Sequence, residues 1–138
     1  MVNHIVVDGV SWRILLEDLA RAALGADLDP VAWQPHETVF ERAAAQGVHT
    51  ATVSMAQFQD SALTRAALRG TEFTEANGPH ARVRAAAEIL AANPRTLLYC
   101  YWNELDKAGH RYGKDSLEWG HALEEVDSLM RTLASRVP

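Results

Sequence analysis

The sequence predicts an α/β fold, a small mainly parallel sheet flanked by helices, and three observations support it. Runs of β-branched and aromatic residues alternate along the 138 residues with stretches in which apolar residues recur every three or four positions. The segments between the strands are long enough for the helical crossovers that join parallel strands. Hydrophobic residues make up 48% of the chain and charged residues 22%, the balance of a globular domain rather than of a disordered or fibrous chain.

The first half of the chain contains two predicted strands. The β-branched run over residues 4–8 ends in Asp-Gly, and residues 48–55 alternate small or polar side chains with β-branched ones. Residues 27–35 contain two prolines and are predicted to form a loop. Three segments with apolar residues at helical spacing each end before a glycine, which suits a helix terminus. These predicted helices cover residues 12–24, 38–46 and 60–69.

The second half contains the most apolar predicted strand. Residues 96–102, TLLYCYW, are almost entirely apolar or aromatic, as a central parallel strand covered on both faces should be. Helices are predicted over residues 81–92 and 117–133, and the polar residues 103–116, which include two glycines, are predicted to form a loop. Ligands of parallel sheets bind beyond the carboxyl ends of the strands, so polar residues that follow a strand are the first candidates for chemistry.

Composition argues against several classes of protein. The 18 acidic residues outnumber the 13 basic ones, and a net charge of -5 would repel a nucleic acid. Cys100 is the only cysteine, which excludes an internal disulfide and predicts a cytoplasmic location. No apolar run approaches the roughly 20 residues of a membrane helix, so we expect no membrane partner. A homo-oligomer is a further expectation, because a sheet of few strands has open edges.

Two acidic residues follow predicted strands. Asp8 ends the first strand, and Asp106 lies four residues beyond residues 96–102. His110 follows Asp106 at a spacing of four, which lets a carboxylate and an imidazole converge on one ion. Zinc accepts both types of ligand at about 2.0–2.2 Å. By spacing alone, a loop carboxylate beside an exposed histidine is the alternative interpretation.

The sequence around this pair resembles a known family. From Tyr99 the chain reads YCYWNELDKAGHRYGKDSLEWGHALEEVDSLMRTL, and upstream it reads DPVAWQPHETVFERAAAQGVHTATVSMAQFQDSALTRAALRG. Both stretches are similar to the type I phosphodiesterase and nucleotide pyrophosphatase family of the alkaline phosphatase superfamily. In that family an apolar strand leads into an Asp-x-x-x-His pair and then into a helix containing Val-Asp. The resemblance covers residues 29–133 and implies an alkaline-phosphatase-like fragment.

The resemblance also implies a reaction, the metal-assisted hydrolysis of a phosphate ester or nucleotide. Asp106 and His110 would bind one of two divalent ions, with zinc expected and manganese as the alternative. Asp8, in VVDGVSW, matches the ligand of the other ion at the end of the first strand. Two ions about 4 Å apart would hold both the attacking and the leaving oxygen.

The nucleophile that the family uses is not found in this sequence. The resemblance places a threonine or serine well after the first strand, and further Asp and His ligands after the Val-Asp helix. Residues 24–29 leave no room for the first, and the sequence ends at Pro138 before the others. Thr38 matches a later part of the family and is interpreted as a helix N-cap. We therefore expect little or no turnover, with the catalytic residue unknown.

A second resemblance covers the N-terminus. NHIVVDGVSWRILLEDL, residues 3–19, is similar to the His-His-x-x-x-Asp-Gly segment of nonribosomal peptide synthetase condensation and epimerisation domains, with His4 matching the histidine that serves acyl transfer. A chimera or an internal deletion near residues 24–29, within one domain of residues 1–138, would explain both resemblances. Two alternative functions follow: a non-enzymatic recombined or designed protein with a vestigial site, and a condensation-type acyl transferase.

The remaining candidates are expected to have structural roles. Histidines without mutual ligand spacing and charged residues on helices are typical of a solvated surface. These residues are His36, His49, Arg65, Arg69, His80, His121 and Asp127. Aromatic residues on a central strand and a helix face are usually part of the core rather than of a nucleotide base pocket. These residues are Tyr99, Tyr101, Trp102, Tyr112 and Trp119.

Overall fold

The computed structural model describes residues 29–137, which form three strands and six α-helices. The strands are β1 (His49–Ser54), β2 (Glu72–Glu75) and β3 (Thr96–Cys100). The helices are α1 (Pro30–Trp33), α2 (Val39–Ala45), α3 (Ala62–Ala67), α4 (Pro79–Ala92), α5 (Glu104–Tyr112) and α6 (Leu117–Ala134). The strand predicted over residues 4–8 and the helix predicted over residues 12–24, and with them His4 and Asp8, lie outside the described residues.

The described sheet is parallel throughout, with the strand order β2-β1-β3. Ala51 pairs with Glu72 on one side and with Leu98 on the other. The helical crossovers between the strands confirm the predicted α/β class with a small parallel sheet. The carboxyl ends of all three strands therefore lie at one edge of the sheet.

Strand β1, rather than β3, is the central and most buried strand of the part described. Thr52 and Val53 are fully inaccessible, whereas every residue of β3 is only half-buried. The prediction that residues 96–102 form the middle of the sheet included a strand over residues 4–8, which lies outside the described residues, so it stays a prediction. Small and β-branched side chains let β1 fit between neighbouring layers. Its threonine hydroxyl groups are satisfied locally, since Thr52 Oγ1 lies 2.9 Å from Thr71 Oγ1.

Three segments differ from the sequence-based prediction. Residues 30–33 form one helical turn, α1, because Asp29 accepts a hydrogen bond from the Val31 N–H at 3.2 Å and Pro30 occupies the first helical position. Strand β2 was not predicted, because its short, polar sequence becomes a strand only by pairing with β1. Most of the predicted loop over residues 103–116 is helix α5.

Helix α5 forms despite its internal glycine because it packs against α6. A Cβ atom at Gly109 would lie 3.3 Å from Trp119 Cδ1, so the glycine permits a close approach of the two helices. Helix α6 also packs against α4, which in turn contacts β1 and β3. Between residues 29 and 137, no helix combines the length and the apolar character needed to cross a bilayer.

Helix α2 shows the predicted N-cap. The Thr38 hydroxyl accepts a hydrogen bond from the Glu41 N–H at 3.1 Å, and the Glu41 carboxylate accepts one from the Thr38 N–H at 2.7 Å. This reciprocal arrangement is a capping box. The Thr38 side chain is buried and also donates to Arg69 O at 2.7 Å. Its structural role is thereby confirmed.

Candidate metal site

The candidate site lies where β3 passes into α5. Backbone pairing continues one residue past β3, because the Tyr101 N–H donates to Val53 O at 3.0 Å. Residues 101–103 connect the strand to the helix, so the first turn of α5 lies at the carboxyl end of the sheet. That edge is the usual location of ligands in a parallel α/β sheet.

Asp106 and His110 lie one turn apart on α5. His110 Nε2 is 3.4 Å from Asp106 Oδ1. Two donors that bind one tetrahedral zinc ion at about 2.0–2.2 Å would lie about 3.3–3.6 Å apart. The two side chains therefore have the spacing of ligands to a single ion, without any change of the helix.

The two oxygens of Asp106 have different environments. Oδ1 faces His110, whereas Oδ2 is buried and has no hydrogen-bond partner among the residues described. An ionised oxygen removed from water is unfavourable unless a donor or a cation meets it. A carboxylate oxygen and an imidazole nitrogen are ligand types that several divalent ions accept, zinc and manganese among them.

An open cavity of about 520 Å³ extends from this pair across the surface between α5 and α6. Its volume is within the range of small-molecule sites. Two tryptophan side chains supply apolar walls, and the polar groups come from the Asp106 and His110 pair and from a lysine. The lining residues are Trp102, Leu105, Asp106, Gly109, His110, Lys114, Trp119 and Val126.

A buried ion pair lies behind the first turn of α5. Arg82, on α4, has a fully buried side chain, and its Nη2 donates to Glu104 Oε1. The other carboxylate oxygen, Glu104 Oε2, accepts a hydrogen bond from the Asn103 N–H at 3.1 Å. The guanidinium carbon of Arg82 also lies 4.8 Å from the centroid of the Trp102 ring. Sequence reasoning did not identify Arg82 or Glu104. Helical periodicity could have indicated that Arg82 is buried, because it lies four residues before the buried Ala86 on the same helix.

Electrostatic effects reach the end of β3 as well. Burial raises the pKa of the Cys100 thiol above its ordinary value, and the positive charge of Arg82 partly offsets that rise. Cys100 is half-buried and unpaired. The guanidinium of Arg82 therefore acts on the thiol at the end of β3.

The other basic and acidic candidates make structural contacts. His49 lies 3.3 Å from Glu72 across the β1–β2 pair. Arg65 pairs with Asp29 at 2.9 Å. Arg69 donates to backbone carbonyls of residues 34, 36 and 66 and to the Glu41 carboxylate. Asp127 pairs with Arg131 at 2.7 Å, and the three remaining histidine candidates are exposed: His36, His80 and His121.

The aromatic candidates divide into three groups. Trp102 and Trp119 line the cavity, whereas Tyr112 is exposed beside Arg111. Tyr101 is buried and stacks with Tyr99 at 6.4 Å between ring centroids, as expected of core residues. Across residues 29–137, no group of three or more His, Cys, Asp or Glu side chains is arranged to hold an ion. Asp106 and His110 thus form a two-residue ligand set within this range.

Comparison with known proteins gives one family. The family model described as type I phosphodiesterase / nucleotide pyrophosphatase matches residues 4–138. The match includes residues 29–133, which carry the resemblance described above, and continues through the N-terminal segment. It spans both sides of residues 24–29 and so gives no support to a chimera joined there. No individual curated protein gives a significant match to the chain.

Proposed function

Because the chain belongs to the type I phosphodiesterase / nucleotide pyrophosphatase family, we propose that it forms the metal-binding part of a hydrolase of phosphodiester or pyrophosphate bonds. The family is generally metal-dependent, and it suggests phosphate esters or nucleotides as substrates. In this proposal Asp106 and His110 hold one divalent ion, zinc or, as the alternative, manganese.

The observation that carries the proposal is the geometry of the pair. The 3.4 Å between His110 Nε2 and Asp106 Oδ1 falls within the separation expected of two zinc ligands. The buried and unpartnered Asp106 Oδ2 supports the same conclusion, because an ionised oxygen in that position is stabilised by a donor or a cation. An ordinary ion pair on a helix surface would leave both carboxylate oxygens in water.

The groups around the pair suit a phosphate ester. A bound divalent ion would offset the negative charge that develops on phosphoryl oxygens. Lys114 lines the cavity with an exposed ammonium group that can attract a phosphate, although Asp115 lies 3.3 Å away and shares that charge. Trp102 and Trp119 line the same cavity and supply part of its apolar surface.

Asp8 is proposed as a ligand of a second ion, because the family resemblance matches it to that ligand at the end of the first predicted strand. It lies outside the described residues, so the pair on α5 carries the proposal alone. Because the described part of the chain offers two ligands rather than three or four, we propose that this chain binds metal but hydrolyses phosphodiesters slowly. The unpaired thiol of Cys100 supports a cytoplasmic location.

A second candidate is a non-enzymatic protein with a vestigial site. The observation that favours it is the lack of a third ligand side chain near Asp106 and His110 within residues 29–137. In that case the 3.4 Å contact is only an ion pair between residues four apart on a helix, of a kind that contributes little to stability. The acyl-transferase alternative rests on His4, which lies outside the described residues, and the family match does not support it.

The test is direct measurement of zinc and manganese binding by isothermal titration calorimetry. We expect about one ion per chain if the pair on α5 is the principal site, and loss of that binding in Asp106→Asn and in His110→Gln. Matched controls are Asp127→Asn and His121→Gln, which alter an exposed carboxylate and an exposed imidazole on α6. Metal-dependent hydrolysis of bis(4-nitrophenyl) phosphate, measured in the same samples, tests the reaction.

Two results would decide against the proposal. Unchanged zinc and manganese binding in both α5 variants would place the ion elsewhere. Absence of any binding in the wild-type chain would leave the vestigial interpretation as the better one.

A further inference from the structure

We propose that Arg82 is a positioning residue for the metal pair. Through Glu104 it fixes the first turn of α5 and thereby the direction in which Asp106 points relative to His110. This inference rests on the proposed function, because it assigns Arg82 a role in metal binding. Arg82 is not a ligand itself, since a guanidinium carries no acceptor and stays protonated in proteins.

The contact between the two helices passes through one carboxylate. Arg82 Nη2 donates to Glu104 Oε1, and the Asn103 N–H donates to Glu104 Oε2 at 3.1 Å. Glu104 is the first residue of α5, and Asn103 is its N-cap. The start of α5 is therefore tied to a side chain that is fully buried under it.

A buried cation at the position of Arg82 is unfavourable unless a negative charge compensates it. Arg82 lies in the second turn of α4, near the end where the helix dipole disfavours a cation. Its Nε and Nη1 atoms are buried without hydrogen-bond partners among the residues described. An apolar residue would fill the same space without those penalties. Glu104 is the acidic group that compensates the charge, and it lies at the amino end of α5, where a carboxylate is favoured.

The effect reaches the metal pair because Asp106 lies in the same first turn of α5 as Glu104. Glu104 is two residues before Asp106, and His110 follows one turn later on the same helix. Loosening of the first turn therefore moves Asp106 relative to His110, which lies in the last turn. Outer groups that orient metal ligands typically change metal affinity by about 10- to 100-fold when they are removed.

A second contact acts on the wall of the cavity. The Arg82 guanidinium lies 4.8 Å from the Trp102 ring centroid, and Trp102 lines the cavity beside Asp106. Loss of the guanidinium therefore frees both the helix start and this tryptophan. The two contacts together make Arg82 the link between α4 and the site.

The test is zinc affinity in Arg82→Met, measured on the full chain. We expect zinc to bind about 10- to 100-fold more weakly than to the wild-type chain. The fold should persist, because the Glu104 side chain is 27% exposed and can meet water once its partner is gone. Arg82→Lys keeps a positive charge near Glu104 and should retain most of the affinity. Arg84→Met, which alters an exposed arginine two residues away on α4, should leave affinity unchanged.

A double variant separates positioning from stability. Replacing both members of a buried ion pair by apolar residues is often neutral or stabilising, so Arg82→Met combined with Glu104→Met should fold at least as well as Arg82→Met alone. The link to α5 is still missing, so its zinc affinity should stay low. A merely structural role for Arg82 predicts the opposite, recovery of affinity together with stability.

Amide hydrogen exchange of the metal-free chain gives a readout that does not depend on zinc. We expect faster exchange over residues 104–110 in Arg82→Met and no change in Arg84→Met. Zinc binding that survives in the double variant, or exchange in α5 that does not change, would overturn the positioning role. Failure of the wild-type chain to bind zinc would instead overturn the proposed function, which keeps the two failures distinct.

Discussion

The imidazole Nε2 of His110 lies 3.4 Å from the carboxylate Oδ1 of Asp106, and the two side chains differ in their exposure to solvent. The Asp106 side chain is 28% exposed, whereas that of His110 is 61% exposed. The carboxylate is thus held in place, and the imidazole can adjust its rotamer when a ligand arrives. Substitutions at Asp106 should therefore impair metal binding more than substitutions at His110 do.

Zinc should stabilise the folded chain. A ligand present at 100 times its Kd raises the free energy of unfolding by about 2.7 kcal/mol when it binds only the folded state. We expect that increase in wild type and its loss in Asp106→Ala, measured by urea unfolding with and without a chelator. His121→Ala serves as the control for an exposed histidine on α6. Equal stabilisation of Asp106→Ala would contradict a site on α5.

Two glycines on adjacent helices should respond in opposite ways to alanine. A Cβ atom added at Gly120 would meet no other atom within 4 Å, so Gly120→Ala should gain the helix propensity difference of about 0.8–1.0 kcal/mol. At Gly109 the added methyl would lie 3.3 Å from Trp119 Cδ1. The free energy of unfolding of Gly109→Ala should be about 1–3 kcal/mol lower than that of Gly120→Ala. Equal effects in thermal or urea unfolding would mean that α5 and α6 are not in close contact.

The capping box of α2 should lose strength in acid. The hydrogen bond from the Thr38 N–H, followed by the contact with Arg69, holds the pKa of Glu41 below its ordinary value, although burial opposes this shift. A carboxylate with a depressed folded-state pKa stabilises the protein above its unfolded pKa and loses that contribution as pH falls. The difference in free energy of unfolding between wild type and Glu41→Gln should therefore shrink from about pH 5 to about pH 3. A difference independent of pH in urea titrations would refute this, and exposed Glu37→Gln is the control.

The thiol of Cys100 should react slowly. Burial raises its pKa, so the thiolate is scarce at neutral pH, and the nearby charge of Arg82 limits the rise. We expect alkylation by iodoacetamide at pH 8 to be slower than that of a cysteine peptide, and slower again in Arg82→Met. Mass spectrometry follows the rate. Faster alkylation in that variant would show that increased access outweighs the loss of the Arg82 charge.

Sequence patterns predicted the elements whose own residues determine them. Strand β1, helix α4 and helix α6 follow from alternation and from helical periodicity, and Thr38 was identified as a cap from its position. Strand β2 escaped detection because Glu72 and Glu75 resemble surface residues until the backbone pairs with β1. Helix α5 escaped detection because Gly109 indicates a loop, and only contact with Trp119 explains a glycine there.

The candidate site was predicted only in part, because part of it depends on tertiary contacts rather than on local sequence. The spacing of Asp106 and His110 is a local property, so sequence alone identified the pair. The role inferred for Arg82 depends on its contact with Glu104 at the start of α5, a tertiary contact that no periodicity encodes. The order of the strands likewise depends on tertiary pairing, which is why β1 takes the central place among the described strands. Asp8 as a ligand stays a prediction.

The connection between β3 and α5 sets the rotational phase of the helix. Only residues 101–103 separate the two elements. The first of these linking residues, Tyr101, is fixed to β1 by the hydrogen bond from its N–H to Val53 O. Each residue inserted there would turn the sequence of α5 by about 100° around the helix axis. Such a turn would carry Asp106 and His110 away from the cavity while leaving every residue type intact. A length change of one residue at this joint would therefore separate the pair from the cavity without altering the spacing of the pair itself.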